Sequence, residues 1–271
     1  MKTSVIFSTY NSPAWLEKVL WGFFAQSNRS FEIVVADDGS TSETRDLIER
    51  LRASAPVPVR HVWQEDDGFQ KCRILNKAIA AAAGDYLIFT DGDCIPRADF
   101  VEQHIRHSGH GAFLSGGYFK LPMDISLAVT KDDVDSQRVF DVRWLHERGL
   151  SYSVKSLKLV ANDRWAEVLN RISPARATWN GHNASCHKEF IVAVNGFEER
   201  MQYGGQDREF GDRLLHLGLE AKRIRFSAVC VHLDHKRGYV TEDMLRRSME
   251  VRLATQRNKT VRASLGIDQY L

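Results

Sequence analysis

The sequence has no apolar run approaching the roughly 20 residues of a membrane-spanning helix; Ala78 to Ala83 and Tyr86 to Phe89 are among its longest. No helical span is expected. Cysteine is scarce, with Cys72, Cys94, Cys186 and Cys230 scattered singly and no Cys-x-x-Cys pair. Zinc and dithiol redox chemistry therefore have no support, and packing thiols in a reducing cytoplasm are expected. Charge of one sign is also missing: 37 Lys and Arg balance 35 Asp and Glu, a net charge of +2. Nothing draws the whole surface to nucleic acid. The opening Met1-Lys2-Thr3-Ser4-Val5-Ile6-Phe7 is too short in its apolar part for a secretory leader and lacks a cleavage site, so it reads as a strand. Internal repeats and low-complexity linkers are absent too, which favours one domain with a C-terminal appendage.

The chain is 43% hydrophobic, enough over 271 residues for a sizeable core. Its first half alternates strand and helix signals, the pattern of an α/β fold with a mostly parallel sheet covered by helices. Expected strands run over Ser4 to Ser8, Phe31 to Ala36, Val57 to Trp63 (weakened by Pro58) and Tyr86 to Thr90. Between them, helices bury Leu16, Val19, Leu20, Phe23 and Phe24, then Leu47, Ile48 and Leu51, then Ile74, Leu75, Ala78, Ile79 and Ala82. From Phe119 to Thr178 the periodicity loosens and no motif stands out. Helices return near Lys188 to Val194 and Asp207 to Leu217, with strands near Lys222 to Phe226 and Val229 to Val231.

Three polar clusters fall where early strands end, the edge at which open α/β sheets bind ligands. They are Ser8-Thr9-Tyr10-Asn11, Asp37-Asp38-Gly39-Ser40 and Asp91-Gly92-Asp93. Alone, two acids around a glycine make an ordinary solvated turn. In this company they suit a divalent cation that leaves positions open for diphosphate oxygens. Later, Tyr203-Gly204-Gly205-Gln206-Asp207 puts an acid at a helix start, where the dipole favours the anion, although a plain N-cap reads the same way. His232 or His235, after the last strand, offers a further metal ligand; a structural histidine is the competing reading.

The order of these motifs, with Asp67-Gly68-Phe69, Asn76 and Asn195-Gly196-Phe197, resembles the family 2 glycosyltransferases of GT-A fold. The second half resembles the β1,4-galactosyltransferase and chondroitin polymerase group. The likeness runs from Ser4 to about Arg237. It implies a domain over 1–237, divided into a nucleotide-binding half (1–118) and an acceptor-binding half (119–237), followed by a basic tail over 238–271. It further implies an inverting enzyme that moves a sugar from a UDP-sugar to a glycan or glycolipid hydroxyl in polysaccharide, lipopolysaccharide or other glycoconjugate synthesis. In that pattern Thr9, Tyr10 and Asp38 hold base and ribose, Asp91 lies against the ribose, and Asp93 with His232 binds Mn²⁺ or Mg²⁺. Asp207 is the catalytic base, Tyr203 lies near the sugar, and Trp179 and Gln206 face the acceptor. Gln206 stands where the galactosyltransferase pattern has Glu, and Arg208 where it has Asp. Leu75 replaces an Arg that often precedes the helical Asn, so Arg73 or Lys71 supplies the missing charge, with Arg73 assigned to the donor site. A sugar nucleotidyltransferase is the enzymatic rival, but Ser8 to Pro13 lacks the glycine-rich basic loop it needs. A non-catalytic sugar- or nucleotide-binding scaffold is the other.

Lys236 to Arg262 carries eight basic and three acidic residues, with Leu245, Met249 and Leu253 on one helical face. That face either packs on the domain or meets the inner face of the membrane.

Overall fold

The computed structural model describes every residue except Tyr152, Asn162 and residues 236–239. Its strands are β1 (Thr3–Thr9), β2 (Phe31–Asp37), β3 (Val59–Trp63), β4 (Tyr86–Asp91), β5 (Cys94–Pro96), β6 (Ala112–Ser115), β7 (Gly117–Lys120), β8 (Asn183–His187), β9 (Glu220–Arg223) and β10 (Val229–His232). Helices α1 (Pro13–Phe24), α2 (Ser42–Arg52), α3 (Lys71–Ala81) and α4 (Phe100–His107) alternate with the early strands. Short helices fill the middle: α5 (Met123–Ala128), α6 (Lys131–Asp135), α7 (Val142–Glu147), α8 (Leu157–Val160) and α9 (Asp163–Ile172). The last three are α10 (Lys188–Ala193), α11 (Gln206–His216) and α12 (Glu242–Asn258).

Seven strands form the central sheet in the order β3-β2-β1-β4-β8-β6-β9. Only β8 runs against its neighbours, so the sheet is mostly parallel as the alternation of signals implied. Successive residues of β1 feed two cores: Val5 and Phe7 join α1, with Phe23 and Phe100 on one face, while Ile6 joins α3, Phe197 and Phe210 on the other. Burial on both faces explains why these strands read as continuous apolar runs rather than alternating ones. Val57 and Pro58 lie outside β3 because proline has no N–H to pair, although its carbonyl still accepts from Ile33 N at 2.8 Å. The strand placed at Lys222 to Phe226 begins two residues earlier, at Glu220.

A second sheet, β5-β10-β7, abuts the first through the two-residue link between β4 and β5. There His232 of β10 is the register partner of Cys94.

Asn76, fully buried on α3, ties the first half to the second. Its Nδ2 donates to Phe197 O at 2.8 Å and Glu199 Oε1 at 2.9 Å, and its Oδ1 accepts from Phe197 N at 2.7 Å. The turn it holds needs a left-handed residue: Gly196 has φ +65°, and a Cβ there would lie 2.2 Å from Asn76 Oδ1. The far C-terminus closes over the same turn, with Ile267 N donating to Asn195 O at 3.0 Å and Asn195 Nδ2 to Ala263 O at 2.9 Å. The residues after 239 are thus bound into the domain, and α12 packs on α11 through Thr255 Oγ1, which donates to buried Glu209 Oε1 at 2.9 Å. That packing face is polar, with Ser248 and Thr255 buried, while Leu245, Met249 and Leu253 stay about half exposed. The apolar face expected to pack is therefore not the one that does. The 237/238 boundary itself lies outside the described residues. Among the described residues no helix is long and apolar enough to cross a membrane.

Replacing Asn76 with Ala would leave the Phe197 amide and carbonyl without their partners in a dry site, where each such group costs about 1–3 kcal/mol. Asn76→Ala is expected to lose about 2 kcal/mol or more, read as a lowered denaturation midpoint; a midpoint within error of wild type contradicts this anchoring.

Candidate active site

The ends of β1, β2 and β4 converge as their parallel pairing requires. In the β2 turn, Asp37 and Asp38 divide the work. Asp37 holds the backbone, accepting from Ser40 N at 2.8 Å and facing His61 Nε2 at 2.9 Å. Gly39, at φ +97°, lets the loop around Asp66 approach; a Cβ there would sit 2.5 Å from Asp66 Cα. Asp38 is buried, accepting from Gln64 Nε2 at 2.6 Å and Gln70 N at 3.0 Å. Burial pushes its carboxyl up to about 6, against the pull of those two bonds. Beside it, Thr9 Oγ1 and Gln64 Oε1 are buried without a hydrogen-bond partner, and exposed Tyr10 donates to Asp66 Oδ2 at 2.9 Å.

At the end of β4, Gly92 passes under β1: its N–H donates to Ser8 O at 2.9 Å, and a Cβ would lie 2.8 Å from that oxygen. The flanking acids face different partners. Asp91 Oδ1 accepts from Lys71 Nζ at 2.6 Å. Burial alone would raise its pKa, but Lys71, then His182 and His232, hold it below the usual range. For Lys71, burial works against the charge and is outweighed by Asp91, Asp207 and Asp93, which keep it firmly protonated.

Asp93 meets the second sheet. Its Oδ1 is 3.6 Å from His232 Nε2 and its Oδ2 3.1 Å from His235 Nε2. Both histidines therefore reach it. His232 Nδ1 donates to Leu233 O at 2.8 Å, which leaves the Nε2 lone pair facing Asp93. Asp93, Cys94 and His232 bring ligand atoms within 4.8 Å of one another. Burial keeps the Cys94 thiol protonated, so the donors that remain are carboxylate oxygen and imidazole nitrogen. That set fits Mn²⁺ or Mg²⁺ with several positions left open.

Asp207 enters at the start of α11, after Gly204 and Gly205 at φ +112° and +87°. A Cβ on Gly181 would approach its Oδ1 to 2.7 Å, so the neighbouring strand entry must be glycine. Burial raises its pKa, Asp91 adds to this, and Lys71 and the Gly181 amide partly offset it. A buried Arg213 on the same helix chelates Glu209 at 2.8 and 3.0 Å and fixes the helix that carries Asp207.

The other expected residues are distributed unevenly. Tyr203 packs edge-on to Phe69, ring centres 5.8 Å apart. Arg73 turns outward, 3.7 Å from Asp67 and 3.9 Å from Glu199, so Lys71 is the cation that reaches the acids. Trp179 cannot face an acceptor: its ring has no exposed surface and packs among Phe89, Phe113 and Phe210. Gln206 is buried too, its Oε1 accepting from Gly204 N at 2.9 Å to brace the turn. Gln64 was missed although it follows β3 as Asp38 follows β2. His182, neutral at a pKa lowered to about 4 by burial and influenced by Asp91 and His232, carried no local signal.

A mostly parallel α/β sheet with acids at its carboxyl edge is the arrangement of the GT-A fold. Residues 4–122 match the model of glycosyl transferase family 2, and residues 169–236 that described as the N-terminal domain of galactosyltransferase. The first part of the chain is thus similar to family 2 glycosyltransferases and a later stretch to galactosyltransferases. It is 27% identical over 271 residues to an uncharacterized glycosyltransferase of Bacillus subtilis, YfnE, covering 91% of this chain and 68% of that one. A 93-residue stretch, 34% of the chain, is 38% identical to an uncharacterized glycosyltransferase of Nostoc sp., of whose length the chain spans only 28%. In fold it resembles the mannosyltransferase PcManGT of Pyrobaculum calidifontis, solved with GDP-Man and Mn²⁺ (TM-score 0.59, 22% identity, 88% of this chain and 58% of that one). It also resembles Staphylococcus aureus TarS 1–349 with UDP-GlcNAc (TM-score 0.61, 18% identity, 100% and 69%).

The raised Asp38 pKa sets a pH signature. The folded state holds a proton there between about pH 4 and pH 6 that the unfolded chain has released, so this group's contribution to stability falls as pH rises through that window. Asp38→Asn should gain on wild type across it, by about 3 kcal/mol at most. Parallel chemical denaturation of both proteins at pH 4 and 7 checks this; an unchanged difference refutes it.

Proposed function

We propose that the protein is an inverting, metal-dependent transferase that moves a sugar from a UDP-sugar to a hydroxyl of a glycan or glycolipid, a step in polysaccharide, lipopolysaccharide or other glycoconjugate synthesis. One observation carries the reading: the Asp93–His232 pair and Asp207 are brought together around Lys71, which feels Asp91, Asp93 and Asp207 at once. UDP-GlcNAc, named for TarS, supports the choice of donor, and Mn²⁺, named together with GDP-Man for PcManGT, supports the choice of ion.

The donor base lies in the Asp38 pocket. An imide N–H donates to the Asp38 carboxylate, the unmatched Thr9 Oγ1 and Gln64 Oε1 take further polar groups, and Tyr10 covers the base. Asp91 and Lys71 lie beyond, toward ribose and diphosphate, and Tyr203 flanks the sugar. Asp93 and His232, with His235 in reach, hold the cation, which supplies Lewis-acid stabilisation to the departing diphosphate. Asp207 takes the proton of the acceptor hydroxyl as its oxygen attacks the anomeric carbon and the bond to the diphosphate breaks. Single displacement inverts that centre. The raised pKa of Asp207 makes it a stronger base than a solvated aspartate.

Asp207→Asn should lower turnover about 10²–10⁴-fold while leaving donor affinity within a few fold. Undiminished turnover would place the base elsewhere. EDTA should abolish transfer, and Asp93→Ala or His232→Ala should shift Mn²⁺ activation to higher concentration; wild-type metal response in both variants removes the metal assignment. Donor hydrolysis without acceptor separates an enzyme from a binding scaffold, since a scaffold releases no free sugar.

A further inference from the structure

Tyr118 stands on β7, the edge strand of the small sheet, with its ring partly exposed beside the proposed metal centre. The ring lies 4.5 Å from that of His182 and 5.7 Å from that of His232, whose Nε2 faces Asp93. Lys158 is set against this ring, and Arg225 and Lys155 are near enough to act on its charge. Lys158 Nζ sits 5.5 Å over the ring and donates to Tyr118 O at 2.9 Å. Arg225 crosses directly behind the strand: a Cβ on Gly117 would lie 2.1 Å from Arg225 O, so the two backbones touch. Lys155 is one turn before Lys158, in the 3₁₀ segment Val154–Ser156 that leads into α8.

Several other cations of the molecule have a carboxylate partner. Arg106 takes Asp163 and Glu167, Arg97 takes Asp99, Arg138 takes Asp132 and Asp133, and Lys120 takes Asp234. Among the described residues no carboxylate pairs with Lys155, Lys158 or Arg225. Half-buried Lys158 feels the lack: burial, then Arg225, lower its pKa to about 8, with Lys155 adding to the repulsion. Like charges held together without a counter-ion cost free energy in the free protein, and an incoming anion relieves that cost. An aromatic face beside them suits the apolar face of a sugar ring.

We propose that the acceptor subsite beside Asp93 and His232 is built for an oxyanion, with the sugar ring on Tyr118 and its carboxylate or phosphate held by Lys158, Arg225 and Lys155. The acceptor is then an acidic sugar or a sugar phosphate rather than a neutral glycan. This deepens the transferase reading and rests on it. Arg is suited to a bidentate grip on either group, and Lys158 contributes a point charge already fixed by the Tyr118 carbonyl.

Calorimetric titration of the full chain, with UDP and Mg²⁺ saturating so that the donor phosphate site is filled, tests the subsite with three probes: D-glucuronate, sulfate and D-glucose. Glucuronate and sulfate should bind saturably and compete, with glucose at least tenfold weaker than glucuronate; equal affinity for glucose and glucuronate, or no saturable oxyanion binding, overturns the proposal. Lys158→Met with Arg225→Met should weaken both oxyanions at least tenfold, leave UDP affinity unchanged and give a melting temperature no lower than that of wild type. Retained oxyanion affinity in that variant also overturns it. Should the double variant not fold, Lys158→Gln against Lys158→Arg makes the same comparison, with only Arg preserving binding. UDP-sugar hydrolysis by the wild type tests the underlying transferase reading separately: its absence sinks that reading while the titration still reports on the subsite.

Discussion

The arrangement depends on the two-residue link between β4 and β5, where the large sheet hands the chain to the small one. Gly92 is pressed against Ser8 O, so the chain cannot drift, and residues on either side of it are forced into different sheets. Asp91 is thereby left on the face occupied by α3, beside Lys71, while Asp93 turns to the strand that carries His232. One constraint thus separates two carboxylates that solvent would otherwise treat alike. It assigns one to a lysine and the other to imidazoles.

That separation organises the electrostatics of the cleft. Asp91, Asp93 and Asp207 share a partly dry region, and three unscreened anions there would repel one another. Lys71 is held as a cation by all three, and in return it keeps Asp91 ionised. At Asp207 burial outweighs the pull of Lys71, which leaves it with a raised pKa. The same low-dielectric surroundings thus lower the pKa of one aspartate and raise that of the other.

Much of this was legible in the sequence because strand ends are local signals. A buried apolar run followed by Asp38-Gly39 or Asp91-Gly92-Asp93 marks both the strand and its ligand edge. What escaped depends on phase or on distant pairing. Positions 71 and 73 differ by about 200° around a helix, so only one of the two cations offered in place of the missing Arg can face the cleft, and it is Lys71 rather than Arg73. Trp179, given to the acceptor by the resemblance, is the centre of a ring cluster drawn from β4, β6 and α11. Tyr118, His182 and His232 meet only because β7 pairs with β10 across more than a hundred residues. In α12 the leucine stripe suggested the packing face, yet the buried acid of α11 recruits Thr255 instead.

The turn at Asn195-Gly196-Phe197 is clasped from one side by Asn76 and from the other by residues 263–268. Its polar groups are satisfied only when segments about 120 residues upstream and about 70 downstream have both arrived. Loop closures of that span make for slow assembly, because their entropy must be surrendered before any bond is returned. Until they meet, the turn that leads toward α11 has no fixed seat. Its docking is therefore expected to trail the early parallel strands in refolding.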